Sequence, residues 1–443
     1  MTDPIAARDQ VLERLGDRAG AQVVVTMGPY ELTRFANSFI HQNVGEIRSS
    51  VVLTVISDGR VAELVGTSTS DAGLARLVEQ GLDLVRISPI DSDWPGLASP
   101  APLGVIPGRV ETEPTPQHRA NAVKAFLGAG PDLNGAGFCS TERLESAFGN
   151  TNGQIADGVA TRTVFDGILR TDTSSGSAHH CSSDFLSLDA DALGLLAHQR
   201  AMLGADPFTI ETGTYEVVLG HDAMAEVVME LGIYGFGGRS VVDQESFVQP
   251  GASQFDRAIT IVDDALAPGG VNYAFDVEGT PKERLLLIDA GVSGGPCHSR
   301  RTGRRMGVRS NGHAPTGDLG EWYGGGPMDI MVAPGTKTVD ELIGEVERGI
   351  YVATFNYCRC LEPLTVEVTG LTRNGTFLIE NGEIVRGLTT MRFTQSFVEA
   401  LAPGNVLGLS NDPRFGHADV GPGYVRAPAA RLARFNFTGN ADG

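Results

Sequence analysis

Residues 221–231 read HDAMAEVVMEL. They are the outstanding helix candidate in a half of the chain whose other apolar runs are short and separated by Gly and Pro. Those runs are RAITIVDD (257–264), RLLLIDA (284–290), MDIMVAPG (328–335), YVATFNYCRC (351–360), LTVEVTGL (364–371) and GTFLIENGEIVRG (375–387). Many short strands with such punctuation specify a mostly antiparallel, barrel-like or sandwich-like unit. TVDELIGEVERG (338–349) adds one helix, capped near Thr338, because a hydroxyl there accepts an orphan backbone N–H.

Outward from this half, residues 207–215 read as a crossing segment. Before it the pattern changes. Residues 22–27, 30–42 and 51–56 are β-branched or alternate with period two. Asp58-Gly59 marks a hairpin into RVAELVG. Ser70 or Asp71 caps a helix over AGLARLVEQGLDLVR, with Leu74, Leu77, Val78 and Leu82 on one face. Residues 88–108 are rich in Pro, Ser and Gly and read as loop. HRANAVKAFLGAG (118–130) and residues 187–204 read as helices around two long alternating stretches, 137–153 and 154–170. At the start, Ile5, Val11, Leu12 and Leu15 fit one face of a short amphipathic helix. The fold class is therefore α+β: an N-terminal α+β domain (1–206) followed by a mostly antiparallel β-rich domain (207–443).

The bulk numbers limit the function. At 443 residues the chain is too long for one ordinary core. It has 34 Lys plus Arg against 54 Asp plus Glu, a net charge of −20. Such a surface repels phosphate backbones and anionic lipid, so neither nucleic acid nor membrane is an expected partner. No run approaches the roughly 20 apolar residues that span a bilayer. The first residues lack the basic and apolar regions of a signal peptide. Five cysteines, an odd count, do not suggest a disulfide framework, and a cytoplasmic location is expected.

Several segments, in order, carry a resemblance. They are LTRFANSFIHQNVGE (32–46), VISDGRVAELVGTSTSD (55–71), DSDWPGLA (91–98), YEVVLGHDAMAEVVMEL (215–231) and VEGTPKERLLLIDAG (277–291). GPCHSRRTGRRMGVRSNGHA (295–314), MDIMVAPGTKTVDELIGEVERGIYVATF (328–355) and VEVTGLTRNGTFLIENGEIVRGL (366–388) follow. Together they resemble the TldE (PmbA) branch of the TldD/TldE metallopeptidase family over nearly the whole chain. The resemblance implies an α+β domain followed by a β-rich one. It also implies a heterodimer in which the TldD-like subunit holds zinc through a HExxxH helix and a later cysteine. The TldE-like subunit lacks that set. The pair cleaves unfolded peptides, leader peptides or small peptidic intermediates.

The residues agree with the zinc-free side. A zinc peptidase helix needs two histidines one turn apart beside a carboxylate. His221 and Asp222 stand at the first positions, but the next turn offers Ala225 and Glu226. No metal and no complete catalytic set are therefore expected in this chain, and zinc is expected in the partner subunit. Asp222, Glu226 and Glu230 form an i, i+4, i+8 stripe, which reads as a solvated or partner-facing surface. His179-His180-Cys181 has metal-like residue types, but only His179 and Cys181 could share an ion, and no complementary pair is evident. Cys358 and Cys360 read as core filling. Cys297-His298, with Asp289, is the weak nucleophilic candidate of a stand-alone hydrolase with a relocated site. That segment also overlays a stretch that the family resemblance makes strand and loop. Arg300, Arg301, Arg304 and Arg305 are candidates for binding a substrate carboxylate or an acidic patch on the partner. A regulatory peptide binder, after the family's link with DNA gyrase modulation, is the remaining alternative.

Overall fold

The computed structural model describes residues 3–107, 113–315 and 324–440. Among these, the strands form three sheets. The first uses β1 (Gly20–Ala36), β2 (Phe39–Ser57), β3 (Arg60–Gly66), β4 (Asn134–Asn150), β5 (Ile155–Arg170) and β6 (Ser175–Ser182) in the order β3-β2-β1-β4-β5-β6. Every pairing in it is antiparallel. The Asp58-Gly59 hairpin forms as read, with both residues at positive φ (51° and 73°). The stretch 30–42 is not one strand. It breaks at Asn37-Ser38, also at positive φ, where the Ser38 hydroxyl donates to Leu133 O and accepts from Gly135 N, each at 2.9 Å.

Helices α1 (Pro4–Leu15) and α2 (Asp71–Ile87) pack on β1–β3. Leu74, Leu77, Val78 and Leu82 are buried as expected, beneath a Ser70 cap. In α1 the inner face is Ala7, Arg8, Val11 and Leu15, and Ile5 is exposed. Helices α3 (Pro116–Gly128) and α4 (Ala190–Leu203) cover the β4–β6 half around Phe35, Phe126 and Phe165.

The second half holds a closed barrel. Strands β7 (Gly213–Leu219), β12 (Arg348–Glu362), β13 (Glu367–Glu380), β15 (Met391–Ser396) and β19 (Ala430–Asn440) pair in a ring, closed by β12 with β13. β14 (Glu383–Gly387) and β16 (Val406–Leu409) attach to it. Only β7–β12 is parallel in this ring, so the mostly antiparallel expectation holds. Phe355, Phe393 and Phe435 fill the interior, with ring centroids 4.5–5.6 Å apart. The third sheet runs β10-β9-β8-β11-β18-β17, from β8 (Ile261–Asp263), β9 (Leu285–Asp289), β10 (Val292–Ser293), β11 (Ile330–Val332), β17 (Arg414–Ala418) and β18 (Gly421–Ala427). No helix among the described residues is long and apolar enough to cross a membrane.

Helix α5 (His221–Phe236) lies between the barrel and the third sheet, packed on β7 and β12 from one and on β17 and β18 from the other. Every residue in it is buried except His221, Glu230 and Tyr234, which are half-buried. This corrects the reading of Asp222, Glu226 and Glu230 as a solvated face. The rest of the helix is apolar all round, and such a helix is covered on every side. Short helices α6 (Gly238–Val242), α7 (Arg300–Met306), α8 (Val339–Gly344) and α9 (Phe397–Ala400) complete the half. Thr338 caps α8 in a capping box with Glu341.

β17 reaches α5 through two small residues. A Cβ placed on Gly416 would stand 2.5 Å from Ala225 Cβ and 2.8 Å from His221 O. Gly416→Ala should therefore lower stability by about 1–3 kcal/mol through overpacking, read as a shift in the urea midpoint. An unchanged midpoint would mean that this contact does not hold the strand.

Candidate functional site

The positions where a peptidase helix carries its ligands are all occupied by other work. His221 opens α5 after Gly220. Its Nε2 lies 3.1 Å from Asp412 Oδ1 and 3.2 Å from Asp412 O. Burial and the Arg414 charge hold this imidazole below its usual range, so it is mainly neutral at pH 7. Burial would raise the Asp412 carboxyl, but hydrogen bonds from Ser410 and Arg414 outweigh it and bring it down to about 2. Asp222 accepts the His417 backbone N–H at 2.9 Å. Glu226 accepts the Asp419 backbone N–H at 2.6 Å. Ala225 between them is the contact point for Gly416. A His–His zinc pair does not fit this helix: the second imidazole position holds a methyl group and a carboxylate that already has its donor.

Burial pushes the Glu226 carboxyl up to about 7 and the Glu230 carboxyl up to about 8. The neighbouring Glu226 and Asp419 charges add to the rise at Glu230. The Cys358 thiol is driven up as well, by burial and by the Glu226 and Asp419 charges. Its backbone N–H donates to Asp419 Oδ2 at 2.9 Å.

Two groups of possible metal donors flank α5 among the described residues. One is Glu226, Cys358 and Asp419. Without an ion its thiol is driven well up by burial and its Glu226 carboxyl is raised to about 7, so a cation here would have to displace protons from both. The other is Asp166, His179 and His417. Asp166 and His179 face each other across the β5–β6 ladder. His417 comes from β17, 238 residues beyond His179. The sequence reading singled out His179 but missed both companions. Asp166 lies on a recognised alternating stretch, 154–170, but residues 175–182, which carry His179 opposite it, were not laid out as a strand paired with that stretch. Nothing in the sequence signals His417. Cys181, the expected companion of His179, lies outside the group.

The remaining candidates are placed elsewhere. Cys297 is fully buried, and burial with the Asp263 charge drives its thiol well above the ordinary range. His298 turns Nδ1 to Thr302 Oγ1 at 3.2 Å, and Asp289 is exposed at the end of β9. No nucleophile–base pair is assembled. The segment expected as strand and loop contains α7, because Ser299 caps it and accepts from Thr302 N.

The α7 arginines make contacts within the chain. Arg301 forms a forked pair with Asp91 (2.6 and 3.2 Å), and Arg305 binds Asp93 (2.6 and 3.1 Å). Arg300 donates to Leu97 O at 2.8 Å, and Arg304 donates to Trp94 O. The four side chains clamp the loop DSDWPGL (91–97). This loop takes up part of their hydrogen-bonding capacity and competes with the substrate- or partner-binding role expected of them.

The raised carboxyls fix the sign of a pH effect. In the folded chain Glu226 and Glu230 hold protons that the unfolded chain releases near pH 4.5. Their contribution is fully present below that pH and is lost as pH rises through about 7 to 8. Glu226→Gln with Glu230→Gln should flatten the fall in stability between pH 5 and pH 8. Urea midpoints across that range check it, and an equally steep fall in the double variant would contradict the assignment.

With the geometry in place, comparison with known proteins becomes informative. Residues 212–439 match the profile of the PmbA/TldA metallopeptidase C-terminal domain. A metalloprotease of Methanothermobacter thermautotrophicus is 24% identical over 294 residues, 61% of this chain and 61% of its own length. A metalloprotease TldD homolog of Buchnera aphidicola is 25% identical over 262 residues, 57% of this chain and 50% of its own length. The matches thus span about half to three fifths of the curated relatives. The crystal structure of TldE from Thermococcus kodakarensis superimposes with a TM-score of 0.83 at 18% identity, covering 98% of this chain and 100% of that one. The fold is that of TldE, and the profile takes in more than half of the residues: the chain belongs to the TldD/TldE (PmbA) metallopeptidase family.

Proposed function

We propose that this chain is the non-catalytic subunit of a heterodimeric TldD/TldE-type zinc metallopeptidase. Its partner is a TldD-like subunit that holds the zinc. The substrates are unfolded peptides, leader peptides or small peptidic intermediates.

One observation carries this reading. Where a zinc peptidase helix presents two imidazoles, α5 presents His221 tied to Asp412 and Glu226 tied to the Asp419 N–H. With one imidazole and no second one a turn later, this helix does not offer the two-histidine zinc site of a peptidase helix, which supports the reading. The family and the fold support a peptidase context, and the helix supports the non-catalytic half of it. The buried Cys297 and the distant Asp289 count against a stand-alone hydrolase. The net charge of −20 counts against direct contact with nucleic acid.

The test is reconstitution. The purified chain alone should leave casein uncut. Mixed or co-expressed with a TldD-like subunit, it should form a complex that cleaves casein in a zinc-dependent manner. Cleavage by this chain alone, or failure to associate with any TldD-like subunit, would sink the proposal.

A further inference from the structure

We propose that Asp166, His179 and His417 form a site for one divalent transition-metal ion, zinc by preference, that staples the first sheet to strand β17. The proposal goes beyond the subunit assignment and does not depend on it.

His179 Nδ1 and His417 Nδ1 are 3.2 Å apart. His179 Nδ1 lies 3.3 Å from Asp166 Oδ1, and His417 Nδ1 lies 3.5 Å from Asp166 Oδ2. Zinc binds imidazole nitrogen and carboxylate oxygen at roughly 2.0–2.1 Å, so two ligands on a tetrahedral ion stand about 3.3–3.4 Å apart. The His179–His417 separation matches one edge of that tetrahedron, and each imidazole nitrogen lies at a similar distance from one of the two Asp166 oxygens, so both oxygens of the carboxylate face the same point. The imidazole planes are also nearly perpendicular, at 85°, which keeps the rings clear of each other while their nitrogens converge.

Charge points the same way. Two neutral imidazoles and the Asp166 carboxylate leave the site one negative charge, and the Asp222 charge acts on His179 as well. A divalent cation neutralises that pair of carboxylates. Burial opposes the charged form of His179, but Asp222 and Asp166 outweigh it, so a proton competes with an ion at this ring. In His417, burial and the His179 charge favour the neutral imidazole that a metal requires.

Access is suitable too. The Asp166 and His417 side chains are 27% and 32% exposed, and His179 is 14% exposed. Three protein ligands with solvent at the fourth position is the pattern of an open zinc site. The mixed nitrogen and oxygen donor set suits zinc, cobalt or iron(II) rather than calcium or magnesium. Because Asp166 and His179 belong to β5 and β6 while His417 belongs to β17, an ion here would cross-link the two halves of the chain.

The competing occupant of this triangle is a proton held between the two imidazoles and the carboxylate. Titration of the full-length, EDTA-stripped chain with zinc chloride separates the two. The expected result is one zinc per chain, with at least tenfold weaker binding in His179→Ala and in His417→Ala. Cys358→Ala, which alters the other donor group, should bind as the parent chain does. Cobalt(II) should give the intense visible bands of a four-coordinate site in the parent chain and lose them in both histidine variants. If a histidine variant loses its far-ultraviolet circular dichroism, Asp166→Asn replaces it and must show the same loss. No zinc uptake, or uptake unchanged in the folded variants, overturns the site and leaves the proton as its occupant. Casein cleavage by the assembled pair reads the subunit assignment, whereas zinc uptake reads this site, so each can fail without the other.

Discussion

Two backbone N–H groups, those of His417 and Asp419, tie the third sheet to helix α5 by donating to the buried Asp222 and Glu226 carboxyls. Helix α5 could not lie between the barrel and the third sheet with Asp222 and Glu226 unpartnered, because a buried, unpaired carboxylate costs several kcal/mol. A hydrogen bond to a charged group contributes about 1.5–3 kcal/mol. The end of β17 and the turn after it, which supply the two donors, are therefore fixed against the helix. Gly416 stands just before them, and its missing side chain lets β17 come down onto Ala225. The same few residues thus settle burial and close approach.

This arrangement explains which parts of the fold could be read from the sequence. Period-two runs and turn pairs such as Asp58-Gly59 are local, so most of β1–β5 and their helices was legible. The hairpin at Asn37-Ser38 was missed because its turn is fixed by Leu133 and Gly135, nearly a hundred positions away. The acidic stripe failed for a related reason. The spacing of Asp222, Glu226 and Glu230 is that of an exposed helix face, and only the N–H donors on a strand 195 and 193 residues later make it an interior one. The α7 arginines were conspicuous in an acidic chain, but their partners sit in a loop some 210 residues earlier. In each case the sequence displayed one half of a long-range pair.

The candidate site divides along the same line. That α5 cannot hold a two-imidazole zinc was legible, since Ala225 and Glu226 are adjacent in the sequence to the histidine they fail to complement. The convergence of Asp166, His179 and His417 was not, since it requires the first sheet to meet the edge strand of the third. The clamp of α7 on residues 91–97 spans the same two halves by different chemistry. Forked Arg–carboxylate pairs at Asp91 and Asp93 are half exposed and individually modest. They act beside the carbonyl bonds of Arg300 and Arg304, so the loop is held at several points.

Asp222 connects these observations. In a helix of the peptidase type, the residue after the first histidine is the carboxylate that polarises water. Here that carboxylate faces β17, binds the His417 backbone and adds its charge to the surroundings of His179. The short Asp side chain reaches the strand across the gap left by Gly416. A position suited to acting on a substrate has been turned toward the chain itself. That change needs only a shorter acid, a methyl group one turn on, and a glycine on the opposing strand. Each is a small residue, and together they let a strand carrying an imidazole close over the helix. The same close approach of β17 to α5 that gives Asp222 its backbone partner also carries His417 to the edge of the first sheet.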